Sequence, residues 1–148
     1  MKKITIIFAS IALAFSFTSC NEESLQSYLV KSQEKKGFIT FDIPASILQL
    51  KNDGASADTK KALNSLKKIN LVALPYKDNA AELETEKATL ERILKGSDYK
   101  SLMRMNAQGI KVKLYYTGSE EAIDEVIAFG YGKDKGVGIA RIIGDDIN

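Results

Sequence analysis

The sequence predicts an α+β fold: a two-layer sandwich in which a mixed, mostly antiparallel sheet of about six strands carries helices on one face. Three observations predict it. Apolar residues recur at helical spacing in three separated stretches, and strands that alternate or run continuously apolar lie between them. The last third of the chain alternates with a period of two between glycine-containing turns. Two β-α-β crossovers followed by an antiparallel meander satisfy that order.

In chain order, Leu25, Tyr28 and Leu29 set helical spacing first. Gly37 introduces Phe38 to Ile43, in which Ile39, Phe41 and Ile43 alternate with polar neighbours as a half-buried strand does. Pro44 ends that strand or opens the short helix expected over Ala45 to Leu50, and Asn52-Asp53-Gly54 is a turn signal. From Ser56 to Ile69 the spacing is helical again. Ala62, Leu63, Leu66 and Ile69 gather on one side of that helix, and Lys60, Lys61, Lys67 and Lys68 form a stripe on the other.

Leu71 to Leu74 is a continuous apolar run, as expected of a central strand buried on both faces. Asn79 and Glu82 mark a helix start, Leu83, Leu90, Ile93 and Leu94 form its apolar face, and Gly96 ends it. Leu102 to Met105 opens the meander, and Asn106 to Gly109 is a loop. The strand Ile110 to Tyr116 follows, with Ile110, Val112, Leu114 and Tyr116 read as inward. Thr117 to Asp124 is a connection or one-turn helix with Thr117 and Glu120 as a capping box. Strands at Val126 to Tyr131 and Val137 to Ile143 flank a turn over Gly132 to Gly136.

Ahead of this domain stands Met1-Lys2-Lys3 and an apolar run from Ile4 to Phe17 without charge, proline or glycine. That is the layout of a secretory signal, too short for the span of about 20 apolar residues that crosses a bilayer. The only cysteine, Cys20, follows the small residues Thr18 and Ser19, and Phe17-Thr18-Ser19-Cys20 resembles a permissive bacterial lipobox. Residues 1–19 are therefore expected to be a lipoprotein signal peptide, Cys20 the lipidated residue, 20–23 a short tether and 24–148 a single domain. Several acyl chains on one residue anchor firmly. Membrane is thus the expected partner, through lipid on Cys20, and the expected location is the bacterial cell envelope, at the outer membrane.

Loss of Lys2 and Lys3 leaves 19 basic residues of the 21, against 19 acidic ones, so the mature chain carries no net side-chain charge. That removes the basicity expected of a nucleic-acid binder. There is no His, no Trp and no second Cys. Ser-His-Asp and Cys-His nucleophiles, Cys/His zinc sites and disulfides are excluded by residue type; no cofactor and no metal is expected.

Apparent motifs give way to simpler readings. The glycines at 130, 132, 136 and 138 precede no helix that could hold a phosphate and read as hairpin glycines. Ser-x-x-Lys occurs at Ser32, Ser65 and Ser97 without the partner motifs of a transpeptidase. Glu120, Glu121, Asp124, Glu125, Asp145 and Asp146 lack the spacing of an EF-hand.

Tyr99-Lys100-Ser101-Leu102-Met103-Arg104, the alternating strand from Lys111 to Tyr116, Glu125-Val126-Ile127 and Ala140-Arg141-Ile142-Ile143-Gly144-Asp145 resemble the Bacteroidota lipoprotein family catalogued as domain of unknown function 4252. The resemblance implies the outer envelope and one α+β domain, and supplies no catalytic or ligand residues. The leading expectation is a non-catalytic, membrane-tethered binding domain for an envelope protein or glycan. Its interaction face is an uncovered side of the sheet bearing Lys111, Lys113 and Tyr115, with the stripe Lys60, Lys61, Lys67 and Lys68 as a second surface for anionic headgroups. The competing expectation is a carboxylate-dependent envelope enzyme such as a glycan hydrolase.

Overall fold

The computed structural model describes residues 23–49, 54–96 and 98–147. The first helix, α1 (Leu25–Ser32), starts where Ser24 accepts a hydrogen bond from the Ser27 N–H at 3.1 Å. It buries Leu25, Tyr28 and Leu29, as its spacing predicts. Then come β1 (Ile39–Pro44), α2 (Ala45–Gln49), α3 (Ala57–Ser65), β2 (Leu66–Pro75) and α4 (Leu83–Leu94). The meander is β3 (Lys100–Ala107), β4 (Ile110–Gly118), β5 (Ile123–Gly132) and β6 (Gly136–Gly144). The six strands form one sheet in the order β1-β2-β6-β5-β4-β3, so the fold is α+β as expected.

The expected mixed sheet is antiparallel at every neighbouring pair. The reason lies in where the helical connections begin and end. Pro44, the last residue of β1, pairs with Lys68 near the start of β2, so α2 and α3 leave and re-enter the sheet at one end and act as a long hairpin connection. Only β2-α4-β3 is a crossover. Its two strands run in the same direction but occupy the second position and the far edge, so they never pair.

Two local expectations also fail. The helix expected to reach Ile69 stops at Ser65, because the segment from Leu66 to Pro75 pairs with β6 and, from Lys68 to Ala73, with β1 as well. Two ladders of hydrogen bonds override a modest helix propensity. Thr117 to Asp124 holds no helix: Ser119 N–H donates to the Ala122 carbonyl at 3.0 Å, closing a tight turn after Gly118. That glycine has φ +92°, and a Cβ there would collide with the Ala122 carbonyl, so the turn demands it.

α1 and α4 bury their apolar residues with Val72, Leu74, Ile127, Phe129, Val137 and Ile139 in one core. Within it Arg141 is 6% exposed. Its Nε and Nη2 donate to Asn70 Oδ1 at 3.1 and 2.9 Å, and Nη2 also donates to Gln26 Oε1 at 2.6 Å. Asn70 Nδ2 in turn donates to Asp42, which accepts from Gln33 at 3.1 Å and lies 3.6 Å from Lys68. This network joins α1 and the turn after it to β1, β2 and β6. Across the α1–α4 contact the Glu86 carboxylate pairs with Lys35 at 2.9 Å, and burial together with that carboxylate pushes the Tyr28 hydroxyl pKa well above the ordinary tyrosine range.

Candidate functional site

Residues paired directly across an antiparallel sheet share a face. Following the registers from β1 to β3 gives one row, Phe41-Leu71-Ala140-Ala128-Leu114-Met103. The next row is Ile39-Ala73-Gly138-Gly130-Val112-Met105. Both cross all six strands, both are wholly apolar, and both lie on the face opposite the α1–α4 core. Burial alternates accordingly. Val72, Leu74, Ile127, Phe129, Val137 and Ile139 are buried, while their sequence neighbours on these rows are half-buried or exposed.

Side-chain size shapes this face. Each row is small at its centre, Ala140-Ala128 and Gly138-Gly130 on the adjacent strands β6 and β5, and larger toward the edges, where Ile39, Phe41, Met103 and Met105 are 44 to 52% exposed. The result is a trough of about 410 Å³ with a floor two strands wide. Its walls stand on β2 and β4, about 14 Å apart from backbone to backbone. At one end the next row, Ile43-Ile69-Ile142-Val126-Tyr116, is large throughout and closes it, with Tyr116 buried. The other end opens at Pro75, Gly136 and Lys135.

Gly130 carries particular weight. A glycine inside a strand costs stability and often marks close approach of a ligand or another backbone. Nothing in the fold demands one here: its φ is not in the left-handed region, and a Cβ would meet only Ile110 Cγ2, at an ordinary 3.8 Å. The trough floor is therefore left open where a side chain would fit.

The residues expected to form the interaction face lie on the other side. Lys113 pairs with Glu91 of α4 at 3.4 Å, and Tyr115 packs against the core. Lys111 shares their face by alternation. The alternation of β4 is as expected, but its sides are reversed: Ile110, Val112 and Leu114 line the uncovered face. A strand whose helix-covered face carries lysines reads backwards, since Lys113 reaches the rim of the core with its aliphatic stem and meets a carboxylate there.

The lysine stripe is not one surface either. Lys60 and Lys61 are on α3, whereas Lys67 and Lys68 are on β2 and pair with Asp145 at 2.5 Å and Asp42 at 3.6 Å. Ile39 and Phe41, expected half-buried, are exposed because β1 is an edge strand. Cys20 lies outside the described residues. Among those described, no helix is long and apolar enough to cross a membrane. Gly130 and Gly138, expected as hairpin glycines, instead pair with each other inside β5 and β6, and Ala128 and Ala140 beside them were not singled out, although small side chains at a period of two on adjacent strands were a visible signal.

Comparison with known proteins gives one family. The family model described as "Domain of unknown function (DUF4252)" matches residues 28–148, from within α1 past the end of β6. No curated protein and no solved structure matches the chain.

Proposed function

The chain belongs to that family, and from this premise we propose that it is a membrane-tethered, non-catalytic binding domain whose working surface is the apolar face of the sheet. The observation that carries the reading is the pair of six-residue apolar rows. From strand spacing and rise they cover about 400 Å², within the size range in which apolar patches on single chains are often functional. A lipid on Cys20 would hold that face within a short reach of one membrane surface, since only Asn21, Glu22, Glu23 and Ser24 separate it from α1. In this reading the architecture is two layers, with helices on one side and the binding face on the other. The envelope is the compartment that the signal segment specifies.

The test is a crosslinking pull-down from intact cells with the native chain, Cys20→Ala, and the double variant Phe41→Glu/Met105→Glu. The last pair sits on exposed rims, so the fold tolerates the charges. Expected is a captured component that the double variant loses at unchanged thermal stability, and loss of membrane fractionation and palmitate labelling for Cys20→Ala. Capture that ignores the rim charges would contradict the assignment of the face.

A further inference from the structure

We propose that the trough takes the alkyl chain of a long-chain fatty acid, laid along β5 and β6 with its carboxylate at the Lys135 ammonium; this rests on the face being the binding surface. Three observations choose this occupant. The floor, Ala128, Gly130, Gly138 and Ala140, and the flanking Leu71 and Val112 offer hydrocarbon only, and the strand backbone beneath is held in its ladders on both sides. Such a lining recognises a slender apolar body and supplies no hydrogen bond to a polar one.

Shape and area disfavour a second copy of the chain. A standard interface buries about 800 Å² on each partner, and the two rows supply about half of that. Two such faces packed together would also leave their small centres opposite each other as a void, which is costly. A single alkyl chain fills a narrow trough that a flat sheet bridges.

Charge complementarity sets the direction. The closing row ends at the β3 edge in Lys100, whose ammonium lies over the Tyr116 ring and already donates to the Gly118 carbonyl at 2.7 Å; the open end carries Lys135, whose backbone is fixed there: its N–H donates to the Gly132 carbonyl at 3.1 Å and its own carbonyl accepts from Tyr76 N–H at 3.0 Å. Its Cβ and Cγ lie so close over Gly132 that a Cβ on that glycine would meet them at 2.9 and 3.0 Å. Among the described residues Lys135 forms no ion pair, so its ammonium is available to a carboxylate.

The experiment uses the full chain in zwitterionic phospholipid vesicles with a photoactivatable palmitate, the labelled peptides being mapped by mass spectrometry. Expected is labelling on β4 and β6 peptides around Val112 and Ala140, competed by unlabelled palmitate. Gly130→Leu, which fills the floor, should abolish it, and Lys135→Glu should weaken the apparent affinity about fivefold or more. Labelling scattered over the surface, or unchanged in Gly130→Leu at unchanged thermal stability, would overturn the proposal. If palmitate failed to label while the rim charges still abolished capture from cells, the fatty acid would be wrong and the binding face would stand.

Discussion

Gly130 is the residue at which stability and function separate. Valine there would gain strand propensity and meet only Ile110, so Gly130→Val should raise stability by up to about 1 kcal/mol in urea unfolding while blocking the trough. A loss of stability instead would show that the floor glycine is structural. Arg141 is the opposite case. Arg141→Ala strips a buried donor from Asn70 and Gln26 and should cost about 3 kcal/mol, measured the same way. Asp42 supplies the pH dependence of the same network: the hydrogen bond from the Asn70 amide, the largest influence, holds its carboxyl below the ordinary range against the desolvation that comes second, with Lys68 and Gln33 adding to the lowering. A carboxyl depressed in the folded state contributes stability above its unfolded pKa, near 3.9, and loses it as pH falls further. The stability gap between the native chain and Asp42→Asn should therefore be full at pH 7 and close progressively below about pH 4. None of these partnerships was legible in sequence, because Asp42, Asn70 and Arg141 meet only through the strand order β1-β2-β6.

Among the elements, most strands were legible and their sides were not. Ile110, Val112 and Leu114 alternate with lysines, which identifies β4 as a strand; it cannot say which side α4 will cover when both sides hold enough carbon to be buried. The long helix expected to Ile69 failed for a related reason, since the second ladder that pulls Leu66 to Pro75 into the sheet comes from β6, more than sixty residues later. The β3–β4 hairpin was nearer to hand. Its two loop residues, Gln108 and Gly109, have φ of +52° and +81°, the pattern of a type I′ turn. Glutamine pays for the left-handed backbone, so Gln108→Gly should raise stability by about 1 kcal/mol, visible as a higher urea midpoint with an unchanged slope.

For the whole molecule, the decisive feature is asymmetry: one side of the antiparallel sheet is sealed by α1 and α4, and the other keeps two apolar rows with a hollow centre. The α+β class followed from periodicity, but the hollow depends on four small side chains meeting across β5 and β6, a register that only the folded sheet defines. In the proposed reading, lipid on Cys20 holds this uncovered apolar face beside a membrane. A photo-crosslinking amino acid placed at Val112, with Lys61 on α3 as the control position, tests this most directly in intact cells. A discrete adduct from Val112 that is absent from Lys61 and is suppressed by Gly130→Leu is the predicted result. Identical adducts from both positions, or none from Val112, would contradict it.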